Sequence, residues 1–163
     1  MNPTAPLALI LLAGCSVIGP NDFAGAAGAN RTSPWYETGE VTKPREELVK
    51  TIRELVVRCG YPDPDIDART ESFTTDWNVK LAPTWREGFR DRLEVEIVPL
   101  GRGAVTVRCR SWMEVNNNSV APGDPKRAEW VGAGVTNRHS ERINEPGLKF
   151  HTMLKFRLFG LNE

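Results

Sequence analysis

The sequence is poor in the residues that metal and nucleophile chemistry require. Its 163 residues include only two histidines and three cysteines. Neither His139 nor His151 stands at a metal-ligand spacing from cysteines or carboxylates, and no nucleophile motif or phosphate-binding glycine loop accompanies them. The sequence therefore predicts no catalytic residue, no metal site and no cofactor, and we expect a protein that is not an enzyme.

The chain also has no excess of charge of either sign. Its 21 Lys and Arg residues balance 21 Asp and Glu residues, and the sequence pI is about 6.8. A strongly basic nucleic-acid-binding protein and a polybasic membrane-binding surface both need an excess of cations. Composition therefore predicts no nucleic acid partner. The hydrophobic fraction of 40% is ordinary for a folded domain, and the length suits one core.

An apolar run near the start of the chain is too short to span a bilayer. Residues 6–14 are followed directly by Cys15. A transmembrane helix needs about 20 apolar residues, whereas this run has the length of the apolar region of a secretory signal. The four residues Leu12-Ala13-Gly14-Cys15 closely resemble the lipobox of bacterial lipoproteins.

This resemblance implies a signal peptide over residues 1–14 and a lipid anchor on Cys15. In that family the thiol is acylated with diacylglycerol, the preceding peptide is removed, and palmitate or a similar acyl chain completes the anchor. Ser16 follows the cysteine where Asp would favour retention in the inner membrane. The resemblance thus implies a protein of the bacterial cell envelope, anchored in the outer membrane and facing the periplasm. We expect an envelope protein as its partner.

Composition divides the rest of the chain into a linker and one domain. Residues 15–40 are rich in Gly, Ala and Asn and have neither helical nor strand periodicity, which is typical of a linker. Residues 41–163 are expected to form a single globular domain. The pair Trp35-Tyr36 near the end of the linker has two interpretations: an edge strand that joins the fold, or aromatic side chains on lipid headgroups.

The first element of the domain is predicted to be an amphipathic helix. Thr42 is a candidate N-cap, Pro44 suits the first turn, and Gly60 suits the end. Apolar residues fall between them at helical spacing. These residues are Leu48, Ile52, Leu55, Val56 and Cys59.

Three segments with period-two alternation are predicted to be strands. They are residues 73–81, 92–98 and 104–112. The short turn at 101–103 makes the last two an antiparallel hairpin. The expected inward residues are Phe73, Thr75, Trp77, Val79 and Leu81, then Leu93, Val95 and Ile97, then Val105, Val107 and Cys109.

The outward face of this hairpin carries opposite charges. Glu94 and Glu96 should lie across the ladder from Arg108 and Arg110. Such pairs contribute roughly 0.2–1 kcal/mol each. We therefore expect a solvated sheet face rather than a binding patch.

The end of the chain fits two patterns. Residues 145–159 alternate like a strand, yet Asn144 suits a helix cap and Gly160 a helix stop, and we favour the helix. The fold class is then α+β, with an N-terminal and a C-terminal helix packed on one face of a small antiparallel sheet of three or more strands.

Two cysteines remain after Cys15. Cys59 and Cys109 lie on the predicted inward faces of their elements. They could form one disulfide, as suits a secreted domain, or remain two buried free thiols, which behave as small hydrophobic residues.

The segment before the second strand carries large side chains of the types enriched in interfaces. Trp85, Arg86, Phe89 and Arg90 are the candidates for a protein interface. In the alternative interpretation, Trp85 and Phe89 fold under the loop and complete the core.

These observations favour a membrane-anchored periplasmic lipoprotein that acts as a structural or protein-interaction module without catalysis. The alternative is a periplasmic binding module for a lipid or other small apolar ligand. That function requires a pocket of at least about 300 Å³ between the helices and the sheet.

Overall fold

A computed structural model describes residues 32–81, 88–118, 120, 123–133 and 140–160. This part of the chain is a mixed α+β structure that consists mostly of sheet. Its elements are β1 (Tyr36–Val41), α1 (Arg45–Arg58), β2 (Ser72–Thr74), β3 (Asn78–Lys80), β4 (Phe89–Gly101), β5 (Ala104–Asn116), β6 (Trp130–Gly132), a 3₁₀ turn (Ser140–Ile143) and α2 (Asn144–Phe159).

The six described strands form one open antiparallel sheet around the β4–β5 hairpin. The strand order is β1-β5-β4-β2, while β3 also pairs with β4 and β6 with β5. The hairpin register runs from Phe89 opposite Val115 to Gly101 opposite Ala104. Positive φ angles at residues 101–103, with two glycines among them, allow the chain to reverse tightly. The predicted hairpin and its turn are confirmed.

The sheet begins before residue 41, inside the segment that composition assigned to the linker. Strand β1 lies at the sheet edge and pairs with β5, with Tyr36 opposite Cys109 and Val41 opposite Val105. The structure thus agrees with the edge-strand interpretation of the Trp35-Tyr36 pair.

The predicted strand 73–81 is broken in two. Thr75 interrupts the pairing because its hydroxyl, rather than its carbonyl, accepts the Leu93 N–H at 3.0 Å. The chain advances four positions from Thr74 to Asn78, but β4 advances only three from Asp91 to Glu94. One extra residue reverses the alternation, since side chains change face with period two.

The predicted inward face is therefore wrong for the second half of this segment. Phe73 still packs against the core, opposite Val95. Val79 instead lies opposite Arg90 and is 46% exposed. Trp77 contacts the charged side of the sheet.

Helix α1 buries the predicted apolar stripe of Leu48, Ile52, Leu55 and Val56. Its predicted N-cap is wrong. The helix begins at Arg45 and its N-cap residue is Pro44, without a side-chain capping hydrogen bond. Thr42 lies two residues too early for its hydroxyl to reach the free N–H groups of the first turn.

The C-terminal segment is the predicted helix, not a fourth strand. Gly160 ends it with φ of 66°, a left-handed conformation that glycine adopts readily. Neither described helix combines the length and the apolar character needed to cross a bilayer.

The main hydrophobic core combines side chains from both helices and from the inward positions of the sheet. Its fully buried members include Leu48, Ile52 and Val56 of α1, Phe150 and Leu154 of α2, and Leu93, Val95 and Val107 of the hairpin. A smaller cluster of Met113, Val115, Ala133 and Ile143 lies toward the other end of the hairpin.

Candidate functional site

The outward positions of the hairpin carry a concentration of arginine and tryptophan. On β4 these positions include Arg90 and Arg92, and on β5 they include Arg108, Arg110 and Trp112. Three further tryptophans pack onto this surface from other elements. We define the Trp–Arg face by eight residues: Trp35, Trp77, Arg90, Arg92, Arg108, Arg110, Trp112 and Trp130.

The guanidinium groups and indole rings of the Trp–Arg face alternate. The Arg90 Cζ atom lies 4.7 Å from the Trp130 ring centroid and 4.4 Å from that of Trp77. The Arg92 Cζ atom lies 4.6 Å from the Trp77 centroid and 5.1 Å from that of Trp112. Each of these distances is within the range of a cation–π contact.

The same alternation continues toward β1. The Arg110 Cζ atom lies 5.5 Å from the Trp112 centroid and 4.5 Å from that of Trp35. Arg108 lies 4.8 Å from the Trp35 centroid. The contacts form a continuous series from Trp130 to Arg108.

Four separate parts of the chain position the tryptophans. Trp35 immediately precedes β1, Trp77 lies between β2 and β3, Trp112 is on β5, and Trp130 begins β6. The stacking contacts therefore join the long hairpin to its neighbouring strands on the side of the sheet away from the main core.

Three of the four arginines also pair with glutamates. Arg90 Nε donates to Glu114 at 2.7 Å. The other two pairs are the predicted ones: Arg108 with Glu96 and Arg110 with Glu94, each at 2.6 Å. The expected cross-strand charge pairs are thus confirmed, although tryptophans accompany them.

Glu94 shows how these contacts stabilise a charge. Burial raises its pKa, but hydrogen bonds from Arg110 and from the Trp112 indole at 3.0 Å outweigh that effect. The net pKa of Glu94 lies below its ordinary value, so this carboxylate is ionised at neutral pH.

Arg92 differs from the other three arginines. The residue opposite it on β5 is Trp112, not a glutamate. Among the described residues, no carboxylate lies within ion-pair distance of Arg92, and its buried Nε has no hydrogen-bond partner. Among the described residues, the contacts of its guanidinium are those with the Trp77 and Trp112 rings.

The structure distributes the predicted interface residues between different environments. Arg90 belongs to the Trp–Arg face, whereas Phe89 packs against the smaller hydrophobic cluster. Trp85 and Arg86 lie outside the described residues, as do Cys15 and His139.

Cys59 and Cys109 are free thiols in the structure, which differs from the disulfide alternative. Cys59 Sγ lies 3.8 Å from Met153 Sδ, and Cys109 donates to the Gly147 carbonyl at 3.7 Å. Burial raises the pKa of both thiols, that of Cys109 to about 12. Both therefore carry a proton at neutral pH, which lowers their reactivity.

A hydrogen-bonded tyrosine–aspartate pair is also buried, near the boundary between the main and the smaller hydrophobic cluster. The Tyr61 hydroxyl donates a hydrogen bond to the Asp91 carboxylate, and both residues are almost fully buried. Burial raises the pKa of Asp91, although the Tyr61 hydrogen bond opposes that shift. The pair lies on the inward side of β4, away from the Trp–Arg face.

An apolar groove of about 450 Å³ runs along the outer side of α2. Leu148, Met153 and Phe156 supply its apolar lining, and Lys149 and Glu145 lie at its border. This groove is open and lies on one helix, unlike the pocket between helices and sheet that a ligand-binding module was expected to have.

Sequence reasoning missed the tryptophans of the Trp–Arg face. The outward hairpin positions were predicted, but the face was interpreted as solvated charge. The period-two sequence Arg108, Arg110, Trp112 was the available signal, because it places an aromatic ring beside two guanidinium groups. Nothing comparable identified Trp35 or Trp130, whose positions depend on tertiary contacts.

Within the described ranges, no group of three or more His, Cys, Asp or Glu side chains is arranged to hold a metal ion. A comparison with known protein families finds no family model that matches the chain, and a comparison with curated protein sequences finds no match.

Proposed function

We propose that this protein is a lipid-anchored module of the bacterial envelope that contacts an envelope protein through the Trp–Arg face and does no catalysis. The observation that carries the proposal is the concentration of four tryptophans and four arginines on one side of the sheet. Tryptophan and arginine, together with tyrosine, are the residues enriched among those that dominate binding energy at protein interfaces.

The packing of the core supports the exposure of this face. Side chains of α1 and α2 meet the inward residues of β4 and β5 in one hydrophobic cluster. In the arrangement we propose, both helices cover that side of the sheet. Neither of the two described helices then covers the opposite side, and its indoles and guanidinium groups are left partly exposed for a partner.

The conformation of the Trp–Arg face also suits binding. Each guanidinium is already held against indole rings, and three are further fixed by glutamates. Side chains that are ordered before binding lose less conformational entropy when a partner docks. The face is therefore a preorganised surface rather than a set of independent mobile charges.

The anchor and the location rest on the N-terminal sequence. The resemblance of Leu12–Cys15 to a lipobox supports lipidation at Cys15, and Ser16 supports the outer membrane. Two or three acyl chains hold a protein durably on a bilayer, since each buried CH₂ contributes about 0.8 kcal/mol. The module would then act in the periplasm, next to that membrane.

Site-specific photo-crosslinking in intact cells tests the interaction role. Val98 lies on the same side of β4 as Arg92 and Glu94, and a photoreactive residue there should form an adduct with one envelope protein. The matched control is Val57 on α1, which is 47% exposed and remote from the face. Equal adducts from both positions, or none from Val98, would contradict the proposal.

The groove on α2 supports a second candidate, the binding of a lipid or other small apolar ligand. Its volume of about 450 Å³ is within the range of small-molecule sites, and Leu148 in its lining is 48% exposed. A photoreactive residue at Leu148 distinguishes the two functions. A lipid adduct there, with no protein adduct from Val98, would favour the second candidate.

A further inference from the structure

One arginine of the Trp–Arg face differs from the other three in its ion pairing. Arg90, Arg108 and Arg110 are each paired with a glutamate, whereas no described carboxylate pairs with Arg92. Arg92 lies near the middle of the series of cation–π contacts.

We propose that Arg92 binds a carboxylate of the protein partner, so that the partner presents an acidic segment to the Trp–Arg face. This inference rests on the proposed function and specifies the chemistry of the partner. Trp77 and Trp112 would lie on either side of the bound carboxylate and exclude water from it.

The geometry of Arg92 supports this assignment. Its Cζ atom lies over two indole rings, at 4.6 and 5.1 Å from their centroids. A cation–π contact does not use up the N–H donors of the guanidinium, which is a planar fork suited to a carboxylate. The Nε atom is buried and has no hydrogen-bond partner, so the two terminal Nη groups are the donors that a carboxylate of the partner would reach.

Carboxylates already on the face do not fulfil this role. Glu94 is near enough to Arg92 for the positive charge to help lower its pKa. Its oxygen Oε2, however, accepts hydrogen bonds from Arg110 and from the Trp112 indole. Glu94 therefore screens Arg92 without pairing with it.

The distribution of charge favours a polypeptide over a membrane surface. Binding to anionic lipids is strengthened by clusters of several unpaired cations. Here a single unpaired guanidinium lies between indole rings. One fixed, planar donor group is suited to bidentate recognition of one carboxylate.

Binding of a peptide of eight glutamates to the full chain tests the inference, with tryptophan fluorescence as the readout at low salt. We expect binding that an eight-glutamine peptide does not reproduce. Arg92→Gln should weaken it by about tenfold or more, since a hydrogen bond to a charged group is worth about 1.5–3 kcal/mol. Arg58→Gln, at an exposed position on α1, is the control and should leave the affinity unchanged.

Two further measurements keep the inference falsifiable. Should Arg92→Gln not fold, Arg92→Lys retains the charge but not the planar fork, and a severalfold loss is expected. In the unsubstituted protein, the NMR signal of the Arg92 Nε–H should shift with the glutamate peptide more than that of Arg58.

Three results would overturn the inference: no binding of the glutamate peptide, binding that Arg92→Gln does not weaken, or Arg92-dependent binding only to phosphatidylglycerol vesicles. Each leaves the adduct from Val98 unaffected. A persistent Val98 adduct would therefore show that the protein interaction stands while its proposed acidic chemistry fails.

Discussion

The buried hydrogen bond between Tyr61 and Asp91 gives the sharpest prediction about stability. Tyr61 is 4% exposed and Asp91 is 3% exposed, so water cannot readily replace the hydroxyl. Removing it by Tyr61→Phe leaves a buried carboxylate without this donor. A hydrogen bond to a charged group contributes about 1.5–3 kcal/mol, so we expect the free energy of unfolding to fall by about 2 kcal/mol at pH 7.

The same pair predicts a pH dependence. Burial raises the pKa of Asp91 in the folded protein above its unfolded value. The folded state therefore binds the proton more tightly, and stability is lost as the pH rises from the unfolded pKa through the folded one. Tyr61→Phe removes an interaction that opposes this shift, so its cost should be larger at pH 7 than at pH 4.

Urea denaturation at both pH values measures these effects. Asp91→Asn removes the charge, and in that background the cost of Tyr61→Phe should fall to about 1 kcal/mol, as for a neutral hydrogen bond. Tyr36→Phe is the matched control, because among the described residues no hydrogen bond joins the Tyr36 hydroxyl to a side chain. Equal costs for the two tyrosine substitutions, or a cost for Tyr61→Phe that does not change with pH, would refute the reasoning.

Two further predictions concern α2 and the thiols. A Cβ atom at Gly147 would lie 3.1 Å from the Ser111 backbone nitrogen. We therefore expect Gly147→Ala to lower the thermal midpoint of unfolding, although alanine is the better helix former. An unchanged or higher midpoint would mean that strand β5 moves to accommodate the methyl group. In the mature native protein, Cys109 should react with a thiol reagent far more slowly than the half-buried Cys59, and both should react after unfolding. If mass spectrometry finds no free thiol after unfolding, the result would support the disulfide between Cys59 and Cys109 instead.

The sequence was sufficient to predict the elements whose pattern is local. One alternation on β4 predicted both the hairpin and its outward charge pairs: apolar Leu93, Val95 and Ile97 alternate there with Glu94 and Glu96. Helix α1 followed equally well from its apolar stripe. In these elements the inward side chains and the turn residues indicate the same structure, and tertiary contacts have little to change.

The parts that sequence reasoning missed depend on long-range packing. The extra residue between Thr74 and Asn78 moves Trp77 to the charged side of the sheet, and no local pattern reveals such a change of phase. The helix start at Arg45 instead of after a Thr42 cap is a different kind of error, because it concerns only neighbouring residues. The Trp–Arg face itself exists because segments far apart in the sequence converge on the same side of one hairpin.

The mass and location of the native protein test the central claim of a lipid-anchored module most directly. When the full chain is expressed in a bacterium, we predict a mature protein in the membrane fraction that begins at Cys15 and carries the mass of attached acyl chains. Cys15→Ser should abolish the added mass and release the protein from that fraction, whereas the control Cys59→Ser should do neither. A native protein that begins at Met1, carries no acyl chain and stays in the soluble fraction would contradict the account.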